Sequence, residues 1–276
     1  MRRTIRRILR NRSATIGFAI VGLFLATAAL AGVLGRYEPL SQAFAQLARP
    51  DGAHWLGTDD LGRDVWSRIC HGARVSLEIG VVSVLLSALV GVPIGCVAGY
   101  VGKWLDAVLM RVMDVLLAFP GILLALAIVA FLGSSLVNLM IAIAIVNVPT
   151  YARQVRASVL VQRELDYVSA SRALGAGHAR VLFRHILPNC LGPILVLSTL
   201  GIGTAILEAA GLGFVGLGLE EGRPEWGMML AESRQHFLRA PWVVAGPGVA
   251  ITITVLGFNL FGDGLRDLLD PRARRR

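Results

Sequence analysis

Charge falls out of this chain in long blocks. Asp, Glu, Lys and Arg are absent from Ser13–Gly35, Ile79–Gly102, Val115–Ala152, His185–Leu207 and Ala240–Gly262. A helix crosses a bilayer with about 20 mostly apolar residues, so four of these blocks each fit one crossing. The third is about twice that length, with Gly133-Ser134-Ser135 near its middle, and reads as two helices joined by a tight turn. The pattern predicts an all-α polytopic membrane protein with six transmembrane helices, at 13–35, 77–102, 110–132, 135–152, 189–212 and 240–264. The short alternating segments of a membrane β-barrel do not occur. Four further regions lie outside the helices, an N-terminus (1–12), segments 36–76 and 213–239, and a tail (265–276), besides a long loop at 153–188.

A cleaved leader is the first alternative for the N-terminus. Arg2, Arg3, Arg6, Arg7, Arg10 and Arg12 precede the apolar block, and Ala26-Thr27-Ala28 and Ala29-Leu30-Ala31 mimic cleavage sites. The apolar run exceeds the ~7–15 residues of a signal core, which favours an uncleaved anchor.

Composition supports the membrane reading. Of 276 residues, 55% are hydrophobic and 16% charged, against about 25% charged in soluble domains. That disfavours a cytosolic enzyme or a disordered protein. The net charge of +9 does not point to nucleic acid, because the basic residues, 26 Arg and one Lys, sit at helix ends and in a few loops. There they record orientation. With the N-terminus inside, segments 36–76 and 213–239 hold eight of the 27 basic residues, Arg36, Arg49, Arg63, Arg68, Arg74, Arg223, Arg234 and Arg239. The remainder fall inside, so both termini are expected in the cytoplasm, with Arg272, Arg274, Arg275 and Arg276 near anionic lipid. Cys70, Cys96 and Cys190 form neither a disulfide framework nor a CxxC pair.

The loop at 153–188 is long for a connection between neighbouring spans. It carries Arg153, Arg156, Arg163, Arg172, Arg180 and Arg184 against Glu164 and Asp166. Tyr167, Ala170, Ala173 and Leu174 recur at helical spacing, Gly175 stops the helix, and Pro188 marks re-entry into the fifth span. Two readings of this amphipathic helix stand on physical grounds: it lies on anionic headgroups, or it docks a cytoplasmic partner.

Most other motifs reduce to structure. Gly211-Leu212-Gly213-Phe214-Val215-Gly216 spells GxGxxG, but at a membrane-helix end rather than between a strand and a helix. Close packing or an unwound end explains it better, and Gly218 continues the run. Lys103 follows Gly102, yet Trp104 and Val97 replace the residues a Walker A loop requires. His54, His71, His178, His185 and His236 show no metal-ligand spacing. Pro93 and Pro120 mark kinks, and Glu78 an interface. Glu208 stands out, because it lies within the apolar run Leu191–Leu219, where an ionisable group is expensive. It reads as a pathway or gate residue, or as a structural hydrogen-bond partner.

Three blocks carry a family resemblance. The first is His54-Trp55-Leu56-Gly57-Thr58-Asp59-Asp60-Leu61-Gly62-Arg63-Asp64. The second is Tyr167 to Ala176, followed by Arg184-His185-Ile186-Leu187-Pro188-Asn189. The third joins Pro224-Glu225-Trp226-Gly227 to Phe258–Asp267 and Leu269-Asp270-Pro271. Together they resemble the permease subunits of bacterial ABC importers for dipeptides, oligopeptides, glutathione or nickel. The resemblance implies a type I ABC importer permease architecture with a permease core over about 73–264, in the bacterial inner membrane.

In that family the cytoplasmic loop carries an EAA motif that docks into the ATPase subunit. Ala170, Gly175, Leu187 and Pro188 match it, while Ser169 and Ser171 replace the usual Glu and Ala. The resemblance therefore implies a docking loop of Tyr167, Ser169, Ala170, Ser171, Leu174, Gly175, Leu187 and Pro188. It implies as partners a second homologous permease subunit, two ATP-binding subunits, an extracytoplasmic substrate-binding protein and membrane lipid. No cofactor is expected in this chain, and ATP and Mg are expected on the ATPase subunits. A secondary transporter using Glu208 would be expected to show inverted repeats. A membrane-embedded enzyme would need His, Asp or Ser clustered in the spans. The spans hold no His or Cys cluster to favour nickel, so the resemblance favours a peptide substrate.

Overall fold

The computed structural model describes residues 12–216 and 223–269. The arginines before Arg12, Gly218 and Leu219 of the apolar run, and the tail from Asp270 lie outside the described residues. The elements are α1 (Arg12–Ala29), α2 (Ala31–Leu34), α3 (Val65–Val101), α4 (Lys103–Leu117), α5 (Gly121–Leu132), α6 (Leu136–Arg163), α7 (Asp166–Ala173), α8 (His178–Arg180), a π-helical turn (Val181–Ile186), α9 (Leu187–Phe214), α10 (Trp226–Ser233), a 3-10 turn (Arg234–His236) and α11 (Pro241–Leu269). Among the described residues there is no β-strand, only an isolated bridge between Thr58 and Asp64.

Four helices are long and apolar enough to cross a membrane: Val65–Val101, Leu136–Arg163, His178–Phe214 and Pro241–Leu269. The pair α4–α5 makes a fifth if taken as one broken span, and Ser13–Ala29 is a shorter apolar helix. Two differences from the expected pattern have local causes. The helix over 77–102 starts earlier, at Val65, because Asp64 caps it by accepting from the Ser67 backbone at 2.8 Å. The expected single helix over 110–132 is instead two helices bent by 87° between Leu117 and Gly121. Pro120 stands at the N-cap of the second. A proline removes a backbone donor and disfavours helical geometry in the residue before it. Pro93, by contrast, sits inside an unbroken α3.

Small residues set the packing. α3 lies along α6 through Gly91, Gly95 and Gly99, one per turn. A Cβ on Gly95 would collide with the Ala152 carbonyl, and one on Gly99 would come within 2.9 Å of the Arg156 carbonyl. α1 lies along α11 through Gly17, Gly257 and Gly264, where added methyl groups would strike Phe261, Ile20 and Ala14. α9 packs between α3 and α11. In lipid, apolar side chains gain little by leaving one apolar phase for another, so close backbone approach supplies the association.

Beyond the α3 N-terminus the chain is irregular but tied down. Asp59 receives Arg63 Nε at 2.6 Å and also pairs with Arg68. Glu232 on α10 receives Arg63 Nη2 at 2.7 Å and Arg68 Nη1 at 3.0 Å. His54 Nδ1 lies 2.9 Å from Asp64. Trp226 is fully buried at the centre of this end and donates from its ring N–H to the Ile69 carbonyl.

The glycine contacts give a paired prediction. Gly95→Leu forces α3 and α6 apart and lowers stability by about 1–3 kcal/mol, read as a lower thermal midpoint in detergent. A Cβ on Gly22 of α1 would meet nothing within 4 Å, so Gly22→Leu leaves the midpoint unchanged or higher. Equal behaviour of the two variants would contradict a helix pair held by close approach.

Candidate functional site: the loop helix and Glu208

α7 is eight residues long and rests on the bundle through one side chain. Val168 is fully buried, packed in a cluster with Val155 and Val159 of α6, Val181 and Ile186 of the π turn, and Cys190 and Ile194 of α9. Leu187 packs against the same cluster. A polar clasp reinforces the seat. The Tyr167 hydroxyl donates to Gln162 Oε1 at 2.7 Å and accepts from Asn189 Nδ2 at 3.2 Å. Asn189 also donates to the His185 carbonyl at 2.7 Å. One helix, its preceding helix and the start of α9 are thereby joined.

The apolar stripe anticipated on this helix points outward. Ala170, Ala173 and Gly175 are exposed, and Leu174 is 88% exposed. Ser169 is exposed and Ser171 half-buried, and Pro188 is exposed at the start of α9. The inward residue is Val168, which the stripe does not contain.

The helix ends in a defined reversal. The backbone N–H of Gly175 donates to the Arg172 carbonyl at 2.9 Å, and that of Ala176 to the Ser171 carbonyl at 3.1 Å. This hydrogen-bond pair is the Schellman motif, with the left-handed residue at Gly175 (φ +81°). A Cβ on Gly175 would meet nothing within 4 Å, so only backbone conformation selects glycine there. From His178 the chain runs through the π turn into α9.

Salt bridges brace the neighbouring helices. Arg156 on α6 grips Asp106 on α4 with two N–H groups, at 2.5 and 2.6 Å. Arg163 Nη1 donates to the Gly99 carbonyl at 2.8 Å. The Arg153–Asp114 pair, at 2.6 Å, is half-exposed on both sides and adds little on its own.

Glu208 lies on α9 and is half-buried. Its Oε2 accepts from Asn147 Nδ2 of α6 at 2.8 Å, and the same amide donates to the Ile143 carbonyl at 2.9 Å. Glu208 thus has a hydrogen-bond partner, well away from the loop helix along α9. Asn147 was legible only as a lone amide in a charge-free block. The GxGxxG run is structural. Gly213 faces the start of α10, where an added Cβ would come within 3.1 Å of the Met228 nitrogen, and Gly216 (φ +89°) lies just beyond the helix end. Glu225 caps α10 by accepting from the Gly227 and Met228 backbones, both at 2.8 Å. Burial pushes its carboxyl above the usual range, while those two N–H groups oppose the rise.

Comparison with known proteins places this geometry. Residues 91–275 match the family described as binding-protein-dependent transport system inner membrane component. Residues 1–50 match the N-terminal TM domain of oligopeptide transport permease C. The chain is 48% identical to the dipeptide transport system permease protein DppC of Alkalihalophilus pseudofirmus, over 99% of this chain and 90% of the relative. It is 45% identical to the glutathione transport system permease protein GsiD of Pectobacterium atrosepticum, over 98% and 90%. A chain of the MetNI methionine ABC transporter, solved in inward-facing conformations, superposes with a TM-score of 0.62. It is 20% identical and covers 74% of this chain and 96% of its own, a likeness of fold. The helical bundle, its outward-facing loop helix and these matches agree: the chain belongs to the family of inner-membrane components of binding-protein-dependent transport systems.

Proposed function

We propose that this chain is the permease subunit of a peptide-importing ABC transporter, forming half of the translocation pathway while partner subunits hydrolyse ATP. The observation that carries this reading is the loop helix. It is fixed to the bundle by Val168 and the Tyr167 clasp, yet turns Ala170, Ala173 and Leu174 to the outside. An apolar face held so firmly and left uncovered suits a partner's cleft. Relatives named for dipeptide, di/tripeptide and glutathione transport support a short peptide as cargo, in preference to nickel. The assembly comprises a second permease, two ATP-binding subunits carrying ATP and Mg, and an extracytoplasmic binding protein. The bias of basic residues supports both termini in the cytoplasm. Glu208 with Asn147 is the polar point of the pathway.

Reconstitution tests the activity. The chain alone hydrolyses no ATP, and peptide uptake and ATPase activity appear together when both ATP-binding subunits, the second permease and loaded binding protein are present. ATPase activity of the clean chain, or uptake without the ATP-binding subunits, contradicts the proposal.

Loop variants test docking. Gly175→Val costs roughly 1–2 kcal/mol of backbone strain at the left-handed position and redirects the chain leaving α7. Ala170→Asp adds a charge to an exposed position, so it disturbs nothing within this chain and acts only through a partner. Both reduce co-purification of the ATP-binding subunits and uptake, while Ser169→Ala has little effect. Because those subunits are cytoplasmic, the same assay tests the orientation. Normal assembly and uptake in Gly175→Val and Ala170→Asp rule out docking through this helix.

Glu208→Gln keeps an acceptor for Asn147 but removes the charge. The variant assembles normally, and its uptake falls several-fold with ATPase activity retained. Unchanged uptake would reduce Glu208 to a structural partner of Asn147.

A further inference from the structure

A second feature of the loop lies on the face of α7 turned away from the docking surface. A cavity of about 630 Å³ opens between the end of α3 and the turn into α8, lined by Tyr100, Val101, Arg172, His178, Ala179 and Leu182. Its walls are of two kinds. The Tyr100 ring, Val101 and Leu182 are apolar. The Arg172 guanidinium sits 5.5 Å from the centre of the Tyr100 ring, and the Tyr100 hydroxyl lies 3.0 Å from His178 Nδ1.

Arg172 belongs to the bundle side of its helix. At about 100° per residue it falls close to the direction of the buried Val168, whereas Ala170, Ala173 and Leu174 project the other way. Asp106 is engaged by Arg156 and Glu164 by Arg163. Among the described residues no carboxylate pairs with Arg172. The adjoining chain reads Tyr100-Val101-Gly102-Lys103-Trp104, with Val101 53% and Trp104 72% exposed. Aromatic, apolar and cationic residues in succession at the end of the charge-free stretch 79–102 of α3 mark the level where hydrocarbon meets headgroups.

We infer that this cavity binds the headgroup phosphate of an anionic phospholipid, with Arg172 and His178 facing the phosphate and an acyl chain lying along Val101 and Leu182. Charge-assisted hydrogen bonds from a guanidinium suit a phosphate, and an apolar wall beside them suits a lipid better than a water-soluble anion. The bound lipid bridges α3 and α7, so it steadies the loop helix from behind while leaving the docking face open. The inference holds whatever the cargo of the transporter.

The test uses the assembled transporter in nanodiscs of phosphatidylcholine with added phosphatidylglycerol, followed by native mass spectrometry of retained lipid. The wild type retains phosphatidylglycerol in preference to phosphatidylcholine. Arg172→Gln combined with His178→Gln lowers that retention roughly fivefold, as the loss of the Arg172 guanidinium from beside the headgroup implies, with phosphatidylcholine unaffected. Leu182→Asp keeps Arg172 and His178, places an acid in the cavity and gives the same loss; it decides the matter if the double variant does not fold. Equal retention of the two lipids by the wild type overturns the inference, as does unchanged retention in the variants. Displacement of phosphatidylglycerol by inorganic phosphate also overturns it, since that is the behaviour of a site for soluble anions.

Discussion

The closeness of α3 and α6 is the constraint on which the rest of the structure depends. Within a bilayer, helices separate at little hydrophobic cost, and what holds them is dense contact between backbones. Gly91, Gly95 and Gly99 let α3 lie against Tyr151, Ala152, Val155, Arg156 and Val159 with no side chain of its own at those three positions. Both the seat of α7 and the cavity beside it grow from that seam. Val155 and Val159, held against α3, form the floor on which Val168 sits. Tyr100, one residue beyond Gly99, forms the wall beneath Arg172. Arg163 closes the seam by donating to the Gly99 carbonyl. A wider spacing of these helices would remove the seat of α7 without changing α7 itself.

The seat is small, and its smallness has a mechanical consequence. Helices of eight residues are marginal in isolation, and one buried valine contributes at most about 1.5–3 kcal/mol. The Tyr167–Gln162–Asn189 clasp and the reversal at Gly175 supply the remaining definition. Two of those links run to α9 or to the turn that feeds it. From His178 to Phe214 the chain is helical throughout, with the π turn holding Val181 and Ile186 inward. A displacement of α7 therefore has a short route to the helix that carries Glu208. At its far end, α9 meets α10 through Gly213 and, reciprocally, Gly227 against Ala210. α10 in turn carries Glu232 to the Arg63–Arg68 cluster. One helix thus touches the loop, carries Glu208 and reaches the opposite end of the bundle.

The long apolar blocks made the bundle legible, because a charge in hydrocarbon is expensive enough to be excluded everywhere it is not used. The same rule misjudged helix ends. The helix through 77–102 begins at Val65 and includes Arg68 and Arg74, since burial against Asp59 and Glu232 makes Arg68 acceptable in a place where a charge count forbids it. The 87° break at Pro120 was visible as a proline, but its size depends on packing against neighbouring helices. The loop helix was legible in its length, its stop at Gly175 and its apolar stripe. Its direction was not. Period alone says which residues share a face, and Val168, the one residue that decides which face is buried, sits outside the stripe. Tyr167 was named for its place in the motif, whereas nothing in the pattern of Gln162, five residues before it, or Asn189, 22 residues after it, says that they hydrogen-bond to its hydroxyl. Asn147 was missed for the same reason.

The ion cluster beyond the α3 N-terminus is built on a different principle from the helix seams. Glycine contacts tolerate no intermediate spacing: a small slide along the seam brings backbone against side chain. An ion cluster is more forgiving, because two guanidinium groups and two carboxylates can exchange partners while keeping charge neutral. Arg63 and Arg68 each contact both Asp59 and Glu232, so α10 can shift relative to α3 without leaving any one of the four charges alone. Arg68 retains Nε and Nη2 with no partner while almost wholly buried, donors available to accept a different arrangement. Breaking a buried pair outright costs several kcal/mol, and sharing avoids that cost. The glycine seams, including Gly213 and Gly227 between α9 and α10, therefore keep the bundle as one body, and the shared ion pairs hold the segment beyond the α3 N-terminus to α10 with no charge left alone.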